Sequence, residues 1–322
     1  MRRLLTSAMV VCSVLALAWP ASADSYPDRP VHLIVGFAPG GTTDITARLI
    51  AQALSDRWGQ QVVVDNRPGA GGVIGTELVV RAAPDGYTLL LMDPAIAVNP
   101  RLLTSVPYDV LKDLQTISRV SSSPLVLVVP AAAPAHDLAA LIHYAEAQPN
   151  PLTFGSAGIG TTPHMAGELL RLSAGIKLTH VAYKGMGPAV TDLIAGQVDM
   201  AFSSITAALP FIQDGKLRGL ATTGTERSSA LPALPTVAEA GVAGFEVDLW
   251  LALFGPAGLP RPVIDRLNRA VRESLAERAV LDGLVRVGVE PRPGTPEAGT
   301  AFVAAELEKW ARVVRNAHLQ PN

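Results

Sequence analysis

Of the 322 residues, 49% are hydrophobic and 17% charged, with 26 Lys+Arg against 28 Asp+Glu for a formal net charge of −2. High hydrophobicity with low net charge excludes a disordered chain, and the slightly acidic balance excludes the basic surface that nucleic-acid binding needs. At 5%, aromatic residues are too sparse for a base-stacking groove.

The chain opens with Arg2 and Arg3, an apolar run from Leu4 to Ala18, and the small-residue pattern Ala21-Ser22-Ala23. These features predict a secretory signal peptide at 1–23, cleaved after Ala23. Cys12 follows Val11, where a lipid-anchor site needs a small residue, so no lipid anchor is expected. Cleavage removes this single cysteine, leaving no thiol for a disulfide or a thiolate metal site. No later apolar run reaches spanning length without charges or helix breakers, so no insertion into the membrane is expected after cleavage.

Val31 to Phe37 reads as a buried strand, broken by Pro39-Gly40-Gly41, and Asp44 to Trp58 as a helix closed by Gly59. Gln61 to Asp65 is the next strand; a glycine-rich turn at Pro68 to Gly72 leads into a helix from about Val73 to Ala82. Tyr87 to Met92 is a third strand. The alternation resumes with strands at Leu125 to Val129, Leu152 to Gly155, Lys177 to Tyr183, Val198 to Phe202 and Leu217 to Ala221. Helices at His136 to Glu146, Pro163 to Ser173 and Pro188 to Ala195 separate several of them. Two tail helices are expected near Pro262 to Ala276 and Thr295 to Val314. Strands alternating with helices predict an α/β fold whose sheets are mainly parallel and flanked by helices. Two such blocks suggest two lobes, with one crossing near Ser121-Ser122-Ser123-Pro124 and the return between Leu231 and Trp250. Periodicity alone does not exclude one continuous sheet.

Both blocks repeat one device. A strand runs through Gly41-Thr42-Thr43 into a helix, and another runs through Gly160-Thr161-Thr162 into a second helix. Glycine lets a ligand approach the backbone, hydroxyls add donors, and a helix start favours an anion. The same threonines serve equally well as ordinary helix caps. His164, in the first turn after the Thr161-Thr162 pair, is either a donor to that anion or a satisfied structural histidine. Lys184 either attracts an acid or is a solvated strand-end lysine. Asp44 either meets a ligand through water or caps its helix. Asp93 ends a strand on the same rim, where it would repel an anion unless protonated, paired or matched to a ligand donor such as an amine.

Enzyme motifs are incomplete. No GxxxxGK[ST] loop is present, and Gly69-Ala70-Gly71-Gly72-Val73-Ile74 carries Ile74 where a dinucleotide loop needs its third glycine. That loop reads better as a tight turn with close helix packing. Ser156 lies in Phe154-Gly155-Ser156-Ala157-Gly158, with Phe154 where a nucleophile elbow has glycine. The histidines show neither HxxxH nor HExxH spacing, so neither a metal nor a cofactor is expected.

The motifs Tyr26-Pro27-Asp28-Arg29-Pro30, Phe37-Ala38-Pro39-Gly40-Gly41-Thr42-Thr43-Asp44 and Asn66-Arg67-Pro68-Gly69-Ala70-Gly71-Gly72 come in order. Ala83-Pro84-Asp85-Gly86-Tyr87, Tyr183-Lys184-Gly185, Gly196-Gln197-Val198-Asp199 and Leu234-Pro235-Thr236-Val237-Ala238-Glu239-Ala240-Gly241 follow. Together they resemble the substrate-binding (Bug) receptors of tripartite tricarboxylate transporters over essentially the whole mature chain. The resemblance implies a monomeric periplasmic binding protein of type II-like, two-lobed architecture with a hinge. Its expected division is 24–123 plus 247–322 for lobe 1 and 124–246 for lobe 2. It would capture a small carboxylate between the lobes and deliver it to membrane transporter subunits, without catalysis. The implied ligand set is Phe37, Ala38, Pro39, Gly40, Gly41, Thr42 and Asp44 from one lobe, with Ser156, Ala157, Thr161 and His164 from the other. Asp93, Ala95, Lys184 and Ser203 complete the candidates. Asp93-Pro94-Ala95 departs from the small, hydroxyl-rich segment expected there, which puts a dicarboxylate preference in doubt. The alternatives are a ligand-sensing receptor for a membrane signalling partner and a secreted serine hydrolase built on Ser156 or Ser203.

Overall fold

The computed structural model describes residues 26–319. The expected signal peptide and its cleavage site lie outside them.

In the first lobe, β1 (Val31–Val35) lies between β2 (Val62–Asn66) and β3 (Thr88–Met92), parallel to both. The crossovers carry α1 (Thr42–Trp58) and α2 (Val73–Val80). Strands β4 (Leu114–Ser122), β10 (Leu251–Pro256) and β11 (Glu290–Pro291) complete a six-stranded sheet of order β11-β4-β10-β3-β1-β2. Side-chain alternation sends Val31, Leu33 and Val35 to a cluster with α1 and α9 (Arg261–Leu275), where Ile50, Leu54, Leu267 and Val271 meet them. Ile34 and Leu90 face the opposite cluster with Val73 and Val79 of α2 and Ile96 of α3 (Ala95–Leu102). Both faces are thus covered, as continuous apolar strands require.

The second lobe is a five-stranded sheet of order β7-β6-β8-β5-β9. Its strands are β5 (Leu125–Pro130), β6 (Leu152–Ser156), β7 (Leu178–Ala182), β8 (Met200–Ser204) and β9 (Leu217–Thr222). Helices α5 (Leu138–Ala147) and α6 (Thr162–Ala174) cover one face through Leu138, Leu141, Met165 and Leu170. Helices α7 (Met186–Ile194) and α8 (Ile205–Gln213) cover the other through Val190, Leu193, Ile205 and Ala208.

The two-lobed α/β architecture matches the sequence reading, but the sheets are mixed rather than mainly parallel. Strand β10 is antiparallel to β3 and β4, and β5 is antiparallel to β8 and β9. The cause is the double crossing. Strand β4 carries the chain out of the first lobe and β10 carries it back beside β4, so the two run in opposite directions. Strands β5 and β9 repeat this in the second lobe. Parallel pairing is confined to strands joined by a helical crossover within one lobe.

The glycine-rich turn before α2 is a packing device, not a phosphate cradle. A Cβ on Gly36, at the end of β1, would lie 2.8 Å from the Gly72 backbone, and one on Gly72 (φ 93°) would lie 2.1 Å from Met92 Cε. The short helix α4 (Val110–Asp113) leads into β4, α10 (Arg278–Arg286) follows α9, and the C-terminal helix α11 (Pro296–Asn316) packs on α3 and β4 and also on α6 of the other lobe. Its buried Glu306 accepts from Trp250 Nε1 at 2.8 Å and Trp310 Nε1 at 3.0 Å, tying α11 to the returning crossing.

Candidate ligand-binding site

The strand–Gly-Thr-Thr–helix devices of the two lobes face one cavity of about 310 Å³. From the first lobe come Phe37 after β1, Thr42 at the start of α1, Gly71, Asp93 after β3, and Ala95 and Asn99 of α3. From the second come Ala157 to Thr161 in part, Thr162 and Pro163 at the start of α6, Met186 at the start of α7, and Ser204. Leu125 and Leu249 close it where the chain crosses between lobes. A larger groove of about 590 Å³ lies among α3, Tyr108 to Leu111 and α11, but it is formed by the first lobe alone and receives neither Gly-Thr-Thr turn.

Helices α1 and α6 start without a side-chain cap. Gly41 occupies the cap position of α1, so Thr42 is the first helical residue and its hydroxyl is left for the cavity. Thr161 occupies the cap position of α6, yet its hydroxyl donates back to Gly158 O at 2.7 Å. At the starts of α5 and α11 a side chain fills this role: Asp137 accepts from Ala140 N–H and Thr295 from Ala298 N–H, whereas α3 and α7, which also open on the cavity, start without one as α1 and α6 do. The open amides of α1 and α6 are oriented donors at a positive helix pole, a fit for a carboxylate.

Six of the sequence candidates line the cavity: Phe37, Thr42, Asp93, Ala95, Ala157 and Thr161. The others do not. Ala38, Pro39, Gly40 and Gly41 are exposed on the loop leading to α1. Asp44 is buried and occupied within its own lobe. It accepts from Gly40 N–H at 2.9 Å, from the Arg48 guanidinium at 2.9 and 3.1 Å, and from Asn66 Nδ2 at 3.0 Å. Burial pushes its pKa up, but these donors outweigh that and hold the carboxyl below its usual range. Lys184 is exposed and outside the wall. Ser203 is turned to the wrong face of β8, opposite Val126, with its hydroxyl buried and unpartnered, while Ser204 reaches the cavity. In a strand a shift of one residue exchanges faces.

Ser156 and His164 lie behind the wall as a brace for it. Ser156 Oγ is 2.6 Å from His180 Nε2 and accepts from Gly158 N–H at 3.1 Å. His164 Nδ1 accepts from Gly160 N–H at 3.1 Å, and its ring stacks on His180 at 3.9 Å between centroids. Both imidazoles are held neutral, His180 down to about 4 by burial, His164 down to about 3 by burial and by His180 beside it. Glu168, 4.0 Å from His164, therefore forms its ion pair with Arg171 at 2.8 Å instead. Well above pH 6.5 neither the folded nor the unfolded chain carries a proton on these rings, and folded stability is complete. As the pH falls below 6.5 the unfolded chain takes up protons that the fold refuses until about pH 4 and then 3. Stability should therefore drop through that window by up to about 1.4 kcal/mol per pH unit for each histidine. Urea denaturation at pH 7 and pH 5 checks this. The difference should shrink in His180→Gln, and equal stabilities at the two pH values would refute the brace.

Sequence reasoning missed Asn99, which donates to Gly71 O at 2.9 Å and pins the glycine turn to the cavity edge. It also missed His180 as the partner of Ser156. Among the described residues no group of three or more His, Cys, Asp or Glu side chains is placed to hold a metal ion, and no helix is long and apolar enough to cross a membrane.

The tripartite tricarboxylate transporter family receptor matches residues 46–319. BugT of Bordetella pertussis is 42% identical over 317 residues, covering 98% of this chain and 97% of that one. Among solved structures, R. palustris Rpa4515 with adipate superposes with a TM-score of 0.80 at 36% identity, covering 92% of this chain and all of that chain. MatC (Rpa3494) from Rhodopseudomonas palustris with bound malate gives 0.76 at 33% identity, covering 90% of this chain and all of that chain.

Proposed function

Because the chain belongs to the tripartite tricarboxylate transporter receptor family, we propose that its interlobe cavity captures a small organic acid in the periplasm and delivers it, unchanged, to membrane transporter subunits. Members of this family are periplasmic solute receptors, and the similar R. palustris proteins were solved with the carboxylates adipate and malate. The observation that carries the reading is the two Gly-Thr-Thr helix starts, one per lobe and neither closed by a side-chain cap, sharing one cavity of ligand size. The ligand carboxylate sits on the amides of α1 and α6. Residues 24–123 with 247–322 then close on 124–246 about the two crossings, because only the closed form offers both helix starts to one ligand. The export segment is removed after Ala23, and the mature monomer works without cofactor or metal.

The Ser156–His180 pair raises the hydrolase alternative, but the serine is fully buried, its hydroxyl is engaged by the Gly158 backbone, and neither residue lines the cavity. Their role is to hold the 157–161 loop.

Thermal unfolding in the presence of small carboxylates tests the proposal. A ligand at 100 times its dissociation constant stabilises the fold by about 2.7 kcal/mol and raises the melting temperature. If no carboxylate raises it, the reading fails.

A further inference from the structure

The cavity wall carries an imbalance that bears on the far end of the ligand. Among the described residues Asp93 is its only ionisable side chain: no described Lys, Arg or His lines it. Asp93 Oδ1 accepts from Ala95 N–H at 2.9 Å, and no charged group of the described chain acts on the carboxyl, leaving Oδ2 to a donor in the cavity. Burial holds its pKa up to about 6, so near neutral pH it is mostly an anion lacking a cation. Such a group is costly to enclose further when the lobes close. A dicarboxylate would bring a second negative end into a wall with no positive side chain. A ligand bearing one carboxylate and one ammonium would instead satisfy the helix starts and Asp93 together. The remaining wall is compatible with a short carbon chain between these ends, with Phe37, Ile159, Met186 and Leu249 supplying apolar surface.

We propose that Asp93 is the specificity residue of this cleft, and that the ligand is a small amino-carboxylate whose ammonium pairs with Asp93 while its carboxylate rests on the starts of α1 and α6. This rests on the carboxylate-receptor function above and narrows its substrate class. The open Oδ2 of this half-buried carboxylate can accept from a donor in the cavity, and a cationic nitrogen is the donor that also cancels its charge.

The experiment is a calorimetric titration of the full mature chain at pH 7.5 with matched probes. They are succinate and glutarate, 4-aminobutanoate and 5-aminopentanoate, and L-leucine with its amine-free counterpart 4-methylpentanoate. The expected result is tighter binding of at least one amino-carboxylate than of its amine-free or dicarboxylate counterpart. Asp93→Asn, which keeps size and removes charge, should weaken that ligand about tenfold or more and leave or improve dicarboxylate binding. Should Asp93→Asn fail to fold, Asp93→Ser makes the same test, with circular dichroism confirming the fold. Succinate or glutarate binding as tightly as the amino probes would overturn the inference while leaving the carboxylate receptor standing. So would dicarboxylate binding that strengthens below pH 6, which would make Asp93 a protonated donor. An amino preference that survives in both variants would also overturn it. Failure of every probe, together with a blank in the thermal screen, would remove the receptor reading itself and this inference with it.

Discussion

Replacing Asp248 by alanine should lower the free energy of unfolding by about 3–5 kcal/mol, the usual cost of breaking a buried ion pair from one side. Asp248 belongs to the stretch that returns the chain from the second lobe to the first, and its carboxylate fastens both crossings together. Oδ2 accepts from Arg119 Nη2 at 2.8 Å and from Ser122 Oγ at 2.5 Å, and Oδ1 accepts from Ser123 N–H at 2.6 Å. Only 8% of the aspartate side chain and 24% of the arginine is exposed, so water replaces little of what is lost. The guanidinium also lies over the Phe302 ring of α11 at 4.2 Å, which connects the lock to the C-terminal helix. Alanine would strand both the guanidinium and a buried backbone N–H. Asp248→Asn should cost less, because an amide oxygen can still accept from Ser123. Urea denaturation measures both, and a loss below about 1 kcal/mol for the alanine variant would show that this cluster does not hold the crossings.

The second large effect is on affinity. Thr42→Ala combined with Thr161→Ala should weaken carboxylate binding by about tenfold or more: Thr42 loses a hydrogen bond to a charged group, worth roughly 1.5–3 kcal/mol, and Thr161 loses the bond to Gly158 O that holds the turn before α6. The two hydroxyls stand at the two helix starts, one in each lobe. Thr161 donates to Gly158 O, so its removal also loosens the 158–161 turn. Thr42 is half-buried, leaves its hydroxyl to the cavity and caps nothing, so its truncation should leave the fold almost untouched. Unfolding free energy should therefore change by no more than about 1 kcal/mol. Unchanged affinity in the double variant would take the Thr42 hydroxyl out of the site and show that the Thr161 bond does not shape it.

The sequence made the helix starts visible because Gly-Thr-Thr follows an apolar strand in both lobes, a pattern that needs no knowledge of what packs where. It did not disclose β4, whose Gln115, Thr116, Ser118 and Arg119 hide the strand. Thr116 and Ser118 are buried, so no apolar alternation appears. Helix α3 was concealed by its internal Pro100, and with it Asn99. Strand parity decided against Ser203 and in favour of Ser204, and parity cannot be read until the register of β8 against β5 is known. The Ser156–His180 pair depends in the same way on β6 lying parallel to β7, with Phe154 beside His180. Asp44 resembled a ligand-facing residue because one of its partners, Asn66, arrives from the neighbouring strand opposite Val35. Local pattern thus located the devices, while tertiary pairing determined which of their residues face the cavity.

The most direct test is a crystal structure of the mature protein with the carboxylate selected by thermal shift. The account predicts that the carboxylate oxygens lie about 3 Å from backbone amides at the starts of both α1, near Thr42, and α6, near Thr162. An acid bound on one lobe only, or seated in the groove beside α11, would contradict it.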